Sequence, residues 1–143
     1  MRFPLLAIAV LVTLTVLVHA TGFALLLRAL MKSRTAPTTQ IWPIAWLLIR
    51  VTWCLILIHI AEIAVWALVY LWAGCLPDAE SAFYFSGATY TTIGYGDLVL
   101  AKPWRILSPV EGLTGILMCG LSAGLFFAIV SRIYQARLQT KPN

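Results

Sequence analysis

From Phe3 to Leu27 the chain carries no charged residue, and His19 is the one titratable interruption. Two further apolar stretches, about 44 to 73 and about 106 to 133, are of similar length. A helix needs about 20 apolar residues to cross the hydrocarbon core of a bilayer, where each backbone N–H and C=O must find its partner inside the segment. Three such runs in 143 residues leave room for connections and for no large soluble domain. The composition agrees, with 62% hydrophobic and only 10% charged residues and a mean hydropathy of +0.93, far from the balance of soluble domains. The expected fold is an all-α membrane protein with three transmembrane helices per chain.

The first helix is expected within residues 1–30, a basic loop over 31–43, a second span over 44–74 and a third over 105–134, with 135–143 as a tail. Arg28, Lys32, Arg34, Arg50, Arg132, Arg137 and Lys141 fall on one side of this arrangement; Arg2, Lys102 and Arg105 fall on the other. Basic loops stay in the cytoplasm, so the first loop and the C-terminus are expected inside and the N-terminus outside, with the cell (inner) membrane as the location. Arg2, the apolar run and Val18-His19-Ala20 also imitate a cleavable secretory signal, but cleavage after Ala20 exports Arg28 to Arg34 if the second span then enters from outside, which favours an uncleaved helix. The net charge of +5 is spread over these loops and tails and calls for no nucleic-acid partner. Cys54 and Cys119 lie in apolar runs as small core residues. Cys75, at the end of the second run, reads as a free thiol, with a bridge between subunits as the alternative. No zinc or redox spacing and no nucleophilic triad is present in the sequence, so neither an enzyme nor a cofactor is expected.

Between the second and third spans, residues 78–90 are apolar yet too short to cross. Asp78 after Pro77 suits a helix N-cap, and Glu80 suits the first turn. At about 1.5 Å per residue such a helix reaches only partway through a bilayer. The glycine-punctuated chain that follows must then return through the membrane as loop, which is tolerated only where it is buried in protein or lines a water-filled path.

That returning segment reads Thr91-Thr92-Ile93-Gly94-Tyr95-Gly96-Asp97. It resembles the signature filter of potassium channels, with Ile93 where valine is common, and the likeness extends over the pore unit from about Trp46 to Arg132. The resemblance implies a small bacterial-type channel with one additional N-terminal helix, in which 44–134 form the pore domain and 91–97 the filter. It implies potassium ions held by the carbonyls of Thr92, Ile93, Gly94 and Tyr95, as rings of backbone oxygens replace the hydration shell. Gly94 and Gly96 would supply the backbone of alternating hand that aligned carbonyls need, and Asp97 would stand at the outer mouth. One motif per chain implies a homotetramer of four-fold symmetry in the lipid bilayer.

Family relatives can carry an acidic residue behind the filter and tryptophans on the half-helix that donate to its tyrosine and aspartate. Here those places read Ala88, Tyr84 and Phe85. Tyr84 can still donate to Asp97, whereas Phe85 cannot donate to Tyr95. Glu62 and Glu111 are the candidates to restore support, since an intramembrane carboxylate must face protein and find a partner. Glu111 is expected to reach backbone amides or the hydroxyls of Tyr90 and Thr91, with simple polar packing as the alternative. Glu62 stands three residues after His59 on one helix face and is expected to pair with it, with a proton-sensitive element as the alternative, while His19 reads as a packed or interfacial side chain. Gly115 or Gly120 is a candidate hinge, and Gly120 and Gly124 are candidates for a cavity lining or a close helix contact. Phe126, Phe127 or Ile129 could form a dewetting constriction. No helix repeats arginine at every third position, so no voltage sensor is expected. The functional alternatives are a weakly selective cation channel and a non-conducting membrane interaction subunit that keeps the pore loop. The first helix is expected at the periphery.

Overall fold

The computed structural model describes residues 2–32 and 40–139; Arg34, residues 35–39 of the first loop and Lys141 lie outside the described residues. Four helices follow one another: α1 (Arg2–Lys32), α2 (Ile41–Trp72), α3 (Ala79–Tyr90) and α4 (Leu107–Gln139), with no strand among the described residues. Three of them, α1, α2 and α4, are long and apolar enough to cross a membrane.

Helix ends follow local chemistry. α2 starts at Ile41, ahead of the expected 44, because Pro43 falls in its first turn, where a missing N–H breaks no helical bond. Pro109 holds the equivalent place in α4. At the far end of α2, Gly74 takes φ +65°, and its N–H bonds the Leu71 carbonyl while the Cys75 N–H bonds that of Tyr70. This double closure leaves the next residues free to turn into α3. Asp78 caps α3 as expected, accepting the Ser81 N–H at 2.8 Å and the Ser81 hydroxyl at 2.9 Å. Those two bonds hold the Asp78 carboxyl below its usual range.

Packing is layered along the bundle. Near the α2–α3 turn, Leu11 of α1, Trp66 and Tyr70 of α2, Phe85 of α3 and Leu107 of α4 form one core. At the opposite end Leu26, Val51 and Leu55 form another, against which Phe126 and Ile129 pack. Those two side chains are therefore engaged within the chain, and only Phe127 stays exposed among the three candidates for a constriction. Between the cores lie Ile63, Tyr90 and Met118. Trp42 and Trp72, exposed at the two ends of α2, suit the bilayer interfaces. α1 packs on both α2 and α4, and Leu5, Leu6, Leu17 and Leu25 on it stay exposed.

Candidate functional site

The short α3 ends at Tyr90, and the chain leaves it in a tight series of backbone bonds: Thr91 N–H to Gly87 O at 3.1 Å, Thr92 N–H to Thr89 O at 2.9 Å and Gly94 N–H to Ala88 O at 3.0 Å. From there φ is positive at every second residue, +61° at Thr92, +54° at Gly94 and +80° at Gly96. The two glycines reach this region without a steric penalty. Thr92 does not share that freedom, and it is the one described non-glycine residue in the left-handed region. Its side chain makes that backbone costly. The alternation therefore begins two residues earlier than glycine positions alone announce.

Around the end of this segment, the Tyr84 hydroxyl donates to Asp97 at 2.8 Å, and the Tyr84 and Tyr95 rings lie stacked, 6.5 Å between centroids and 6° from parallel. The bond to Asp97 holds the Tyr84 hydroxyl above the usual tyrosine range. Phe85 turns away into the core, edge-on to Tyr70. A cavity of about 310 Å³ lies between the segment and the start of α4, lined among others by Phe85, Ala88, Tyr95, Leu98, Arg105 and Pro109.

Two carboxylates are buried behind α3, both 0% exposed. Glu111 of α4 accepts the Tyr70 hydroxyl at 2.7 Å and the Ser86 hydroxyl at 2.5 Å. These are not the expected partners: backbone amides near α3 are consumed by its own helix, and Ser86 stands one turn closer to Glu111 than Tyr90. Glu62 of α2 receives the Tyr90 hydroxyl and the expected His59, whose Nδ1 lies 3.2 Å away. It also meets an imidazole from α1: His19 Nδ1 is 2.7 Å from Glu62 Oε1. His19 is thus packed and not interfacial, and it belongs to a buried polar cluster. His59 extends the cluster to α4 through Nε2 and Ser122 Oγ at 2.9 Å, so all four helices meet there. A carboxylate only accepts, so His19 presents Nδ1–H to it, while His59 Nδ1 lies closer to the Tyr90 hydroxyl oxygen, at 2.9 Å, than to Glu62.

Sequence reasoning missed His19, Tyr70, Ser86 and Ser122. The usable signal for His19 is that Thr15, His19 and Gly22 share one face of an otherwise greasy helix; for Ser86 it is the four-residue spacing to Tyr90. The ligand atoms of His19, His59 and Glu62 lie within 4.8 Å of one another, a donor set that suits a divalent cation in type. However, a metal on His19 Nδ1 would place a proton on Nε2, which is buried and has no partner among the described residues, an arrangement that costs about 1–3 kcal/mol.

The glycines of α4 divide into two groups. A Cβ on Gly115 would strike the carbonyl oxygen of Tyr90 and come within 2.9 Å of its carbonyl carbon; one on Gly112 would lie 3.4 Å from the Thr89 oxygen. Both allow α4 to press on the end of α3, so Gly115 is a close-approach residue where a hinge or cavity role was expected. A Cβ at Gly120 or Gly124 meets nothing within 4 Å in the chain. Gly115→Ala should lower stability by about 2–3 kcal/mol, since backbone cannot rotate out of the way. Thermal unfolding in detergent measures this, and an unchanged midpoint would contradict the packing.

The sequence profile of a family described as ion channel matches residues 54–132, more than half of the 143-residue chain. No curated protein and no solved structure gives a match.

Proposed function

The chain belongs to the pore-loop ion channel family, and from that premise we propose that it is one subunit of a homotetrameric, potassium-selective channel whose filter is Thr92-Ile93-Gly94-Tyr95. A channel moves ions passively and is not an enzyme. The observation that carries the potassium reading is the alternation of left-handed φ at Thr92, Gly94 and Gly96 at the end of a half-length helix between two spans. Backbone of alternating hand turns successive carbonyls to one side, and a column of such oxygens is what a dehydrated potassium ion requires. The α3 C-terminus adds the negative end of its dipole at the same depth, which favours cations.

Four-fold assembly is supported by what one chain leaves uncovered. Ile93 and Tyr95 are 55% and 69% exposed, large apolar surfaces beside a segment that cannot face lipid as bare backbone. Neighbouring copies would cover them and close the oxygen rings around an axis. The distribution of basic residues favours an orientation with Asp97 outside and the C-terminus in the cytoplasm. No cofactor is needed; potassium is the permeant ion.

Reversal potentials of the purified protein in liposomes test this directly. A strong preference for potassium over sodium is expected, and equal permeability would reduce the reading to a weakly selective cation pore. Tyr84→Phe keeps the ring stacked on Tyr95 but removes the bond to Asp97. It should leave assembly intact and shorten the time over which the mouth conducts under sustained flux. Unaltered currents would show that Asp97 needs no such support.

A further inference from the structure

A pore-loop unit is complete with two spans and a half-helix, and the family match begins at residue 54, beyond α1. Yet α1 supplies a side chain to the polar cluster behind the filter. Leu11, Thr15, His19 and Leu26 are its buried residues; their spacings of four, four and seven form one stripe. The stripe is locked to α2 at three successive levels. Trp66 Nε1 donates to Thr15 Oγ1 at 2.9 Å, His19 meets Glu62 at 2.7 Å, and Gly22 is so close to Ile58 that a Cβ there would come within 2.6 Å of its side chain. Leu5, Leu6, Leu17 and Leu25, off the stripe, remain exposed.

The two oxygens of Glu62 are divided between α1 and the filter side. Oε1 is held by His19, while Oε2 takes the hydroxyl of Tyr90 and lies near His59. The orientation of the carboxylate is therefore set jointly by an imidazole on α1 and a phenol on the last residue of α3. Tyr90 is in turn fixed at its backbone, where its carbonyl fills the space that Gly115 leaves, and the left-handed Thr92 follows two residues later. His19 has a single polar task, because its Nε2 has no partner among the described residues. A neutral imidazole with its proton on Nδ1 meets that geometry without stranding a buried N–H.

We propose that His19 is a positioning residue for the ion filter: through the His19–Glu62–Tyr90 link, the placement of α1 sets where the half-helix ends and Thr92 begins, so that displacement of α1 alters ion selectivity. This rests on the reading of 92–95 as the filter. It makes α1 a handle by which a change in the surrounding bilayer, or a partner gripping the exposed side of α1, reaches the permeation path.

The test uses the full chain in liposomes and compares His19→Asn with His19→Gln. The asparagine amide can place its N–H where Nδ1 stands, whereas that of glutamine reaches the position of Nε2, where nothing accepts it. The potassium-to-sodium permeability ratio of His19→Asn should stay within about twofold of the wild type, and that of His19→Gln should fall roughly tenfold, the scale of one lost hydrogen bond. Tyr90→Phe should fall similarly, and adding His19→Gln to it should lower the ratio little further, since both act through Glu62. Equal ratios for the two His19 variants, additive losses in the double variant, or failure of both His19 variants to assemble would each overturn the proposal. Gly94→Ala in the same assay separates the two claims. If it stays selective, the filter reading fails; if it loses selectivity while His19→Gln does not, only the role of α1 fails.

Discussion

Replacing Gly94 by alanine is expected to abolish selective potassium conduction while leaving a membrane-inserted, assembled protein. At φ +54° a Cβ meets no neighbour within 4 Å, so the penalty is conformational and not a collision. An L-residue held in the left-handed region costs about 1–2 kcal/mol, and four copies around one axis would bear it together. The cheapest escape is for the backbone at 94 to leave the left-handed region, which turns one carbonyl per chain away from the ion path and breaks the Gly94 N–H bond to Ala88 O. The ring then lacks oxygens where the ion must shed water. Potassium flux into liposomes should fall to the level of empty vesicles, or persist with sodium passing equally. Wild-type flux and selectivity in this variant would remove 92–95 as the filter.

Glu62→Ala should be the most destabilising single change in the bundle. It leaves His19 Nδ1 without an acceptor and takes the acceptor from the Tyr90 hydroxyl, in a place where water is scarce, while His59 keeps Tyr90 and Ser122 as partners. Each unmet buried donor costs about 1–3 kcal/mol. Loss of the assembled species in detergent, or a sharply lowered unfolding temperature, is expected. Glu62→Gln keeps one acceptor oxygen and should be milder. If Glu62→Ala matched the wild type, the cluster would have no structural weight. The corresponding change at Glu111 leaves only the Tyr70 hydroxyl unmet, since Ser86 also bonds the Ile63 carbonyl at 2.9 Å, and should be smaller.

The spans were legible because lipid imposes a simple demand, and a run such as Phe3 to Leu27 answers it residue by residue. The half-helix was legible for a different reason: Asp78 marks its start, and the dozen residues to Tyr90 are too few to cross. Local rules also anticipated the bond from Tyr84 to Asp97 and the pairing of His59 with Glu62, three residues apart. What the sequence hid were partnerships across helices. Glu111 finding Tyr70 and Ser86, and Glu62 finding His19, depend on how helices rotate and slide against each other, and no spacing along one helix reports that. The close approach at Gly115 was hidden on the same ground, since glycine in an inner helix suits a hinge as well as a close approach until the neighbouring carbonyl is seen. The left-handed Thr92 was invisible because threonine ordinarily avoids that backbone.

The meeting of His19 with Glu62 also bears on how the chain is made. An imidazole in α1 and a carboxylate in α2 are each costly in lipid alone, and α1 enters the membrane while α2 is still being synthesised. Once α2 follows, the two polar groups neutralise each other's cost, and Thr15 with Trp66 aligns them a turn away. An α1–α2 hairpin therefore satisfies one oxygen of Glu62 by itself and leaves the other for Tyr90. The helix that a minimal pore could omit thus supplies half of the support on which the end of the half-helix rests.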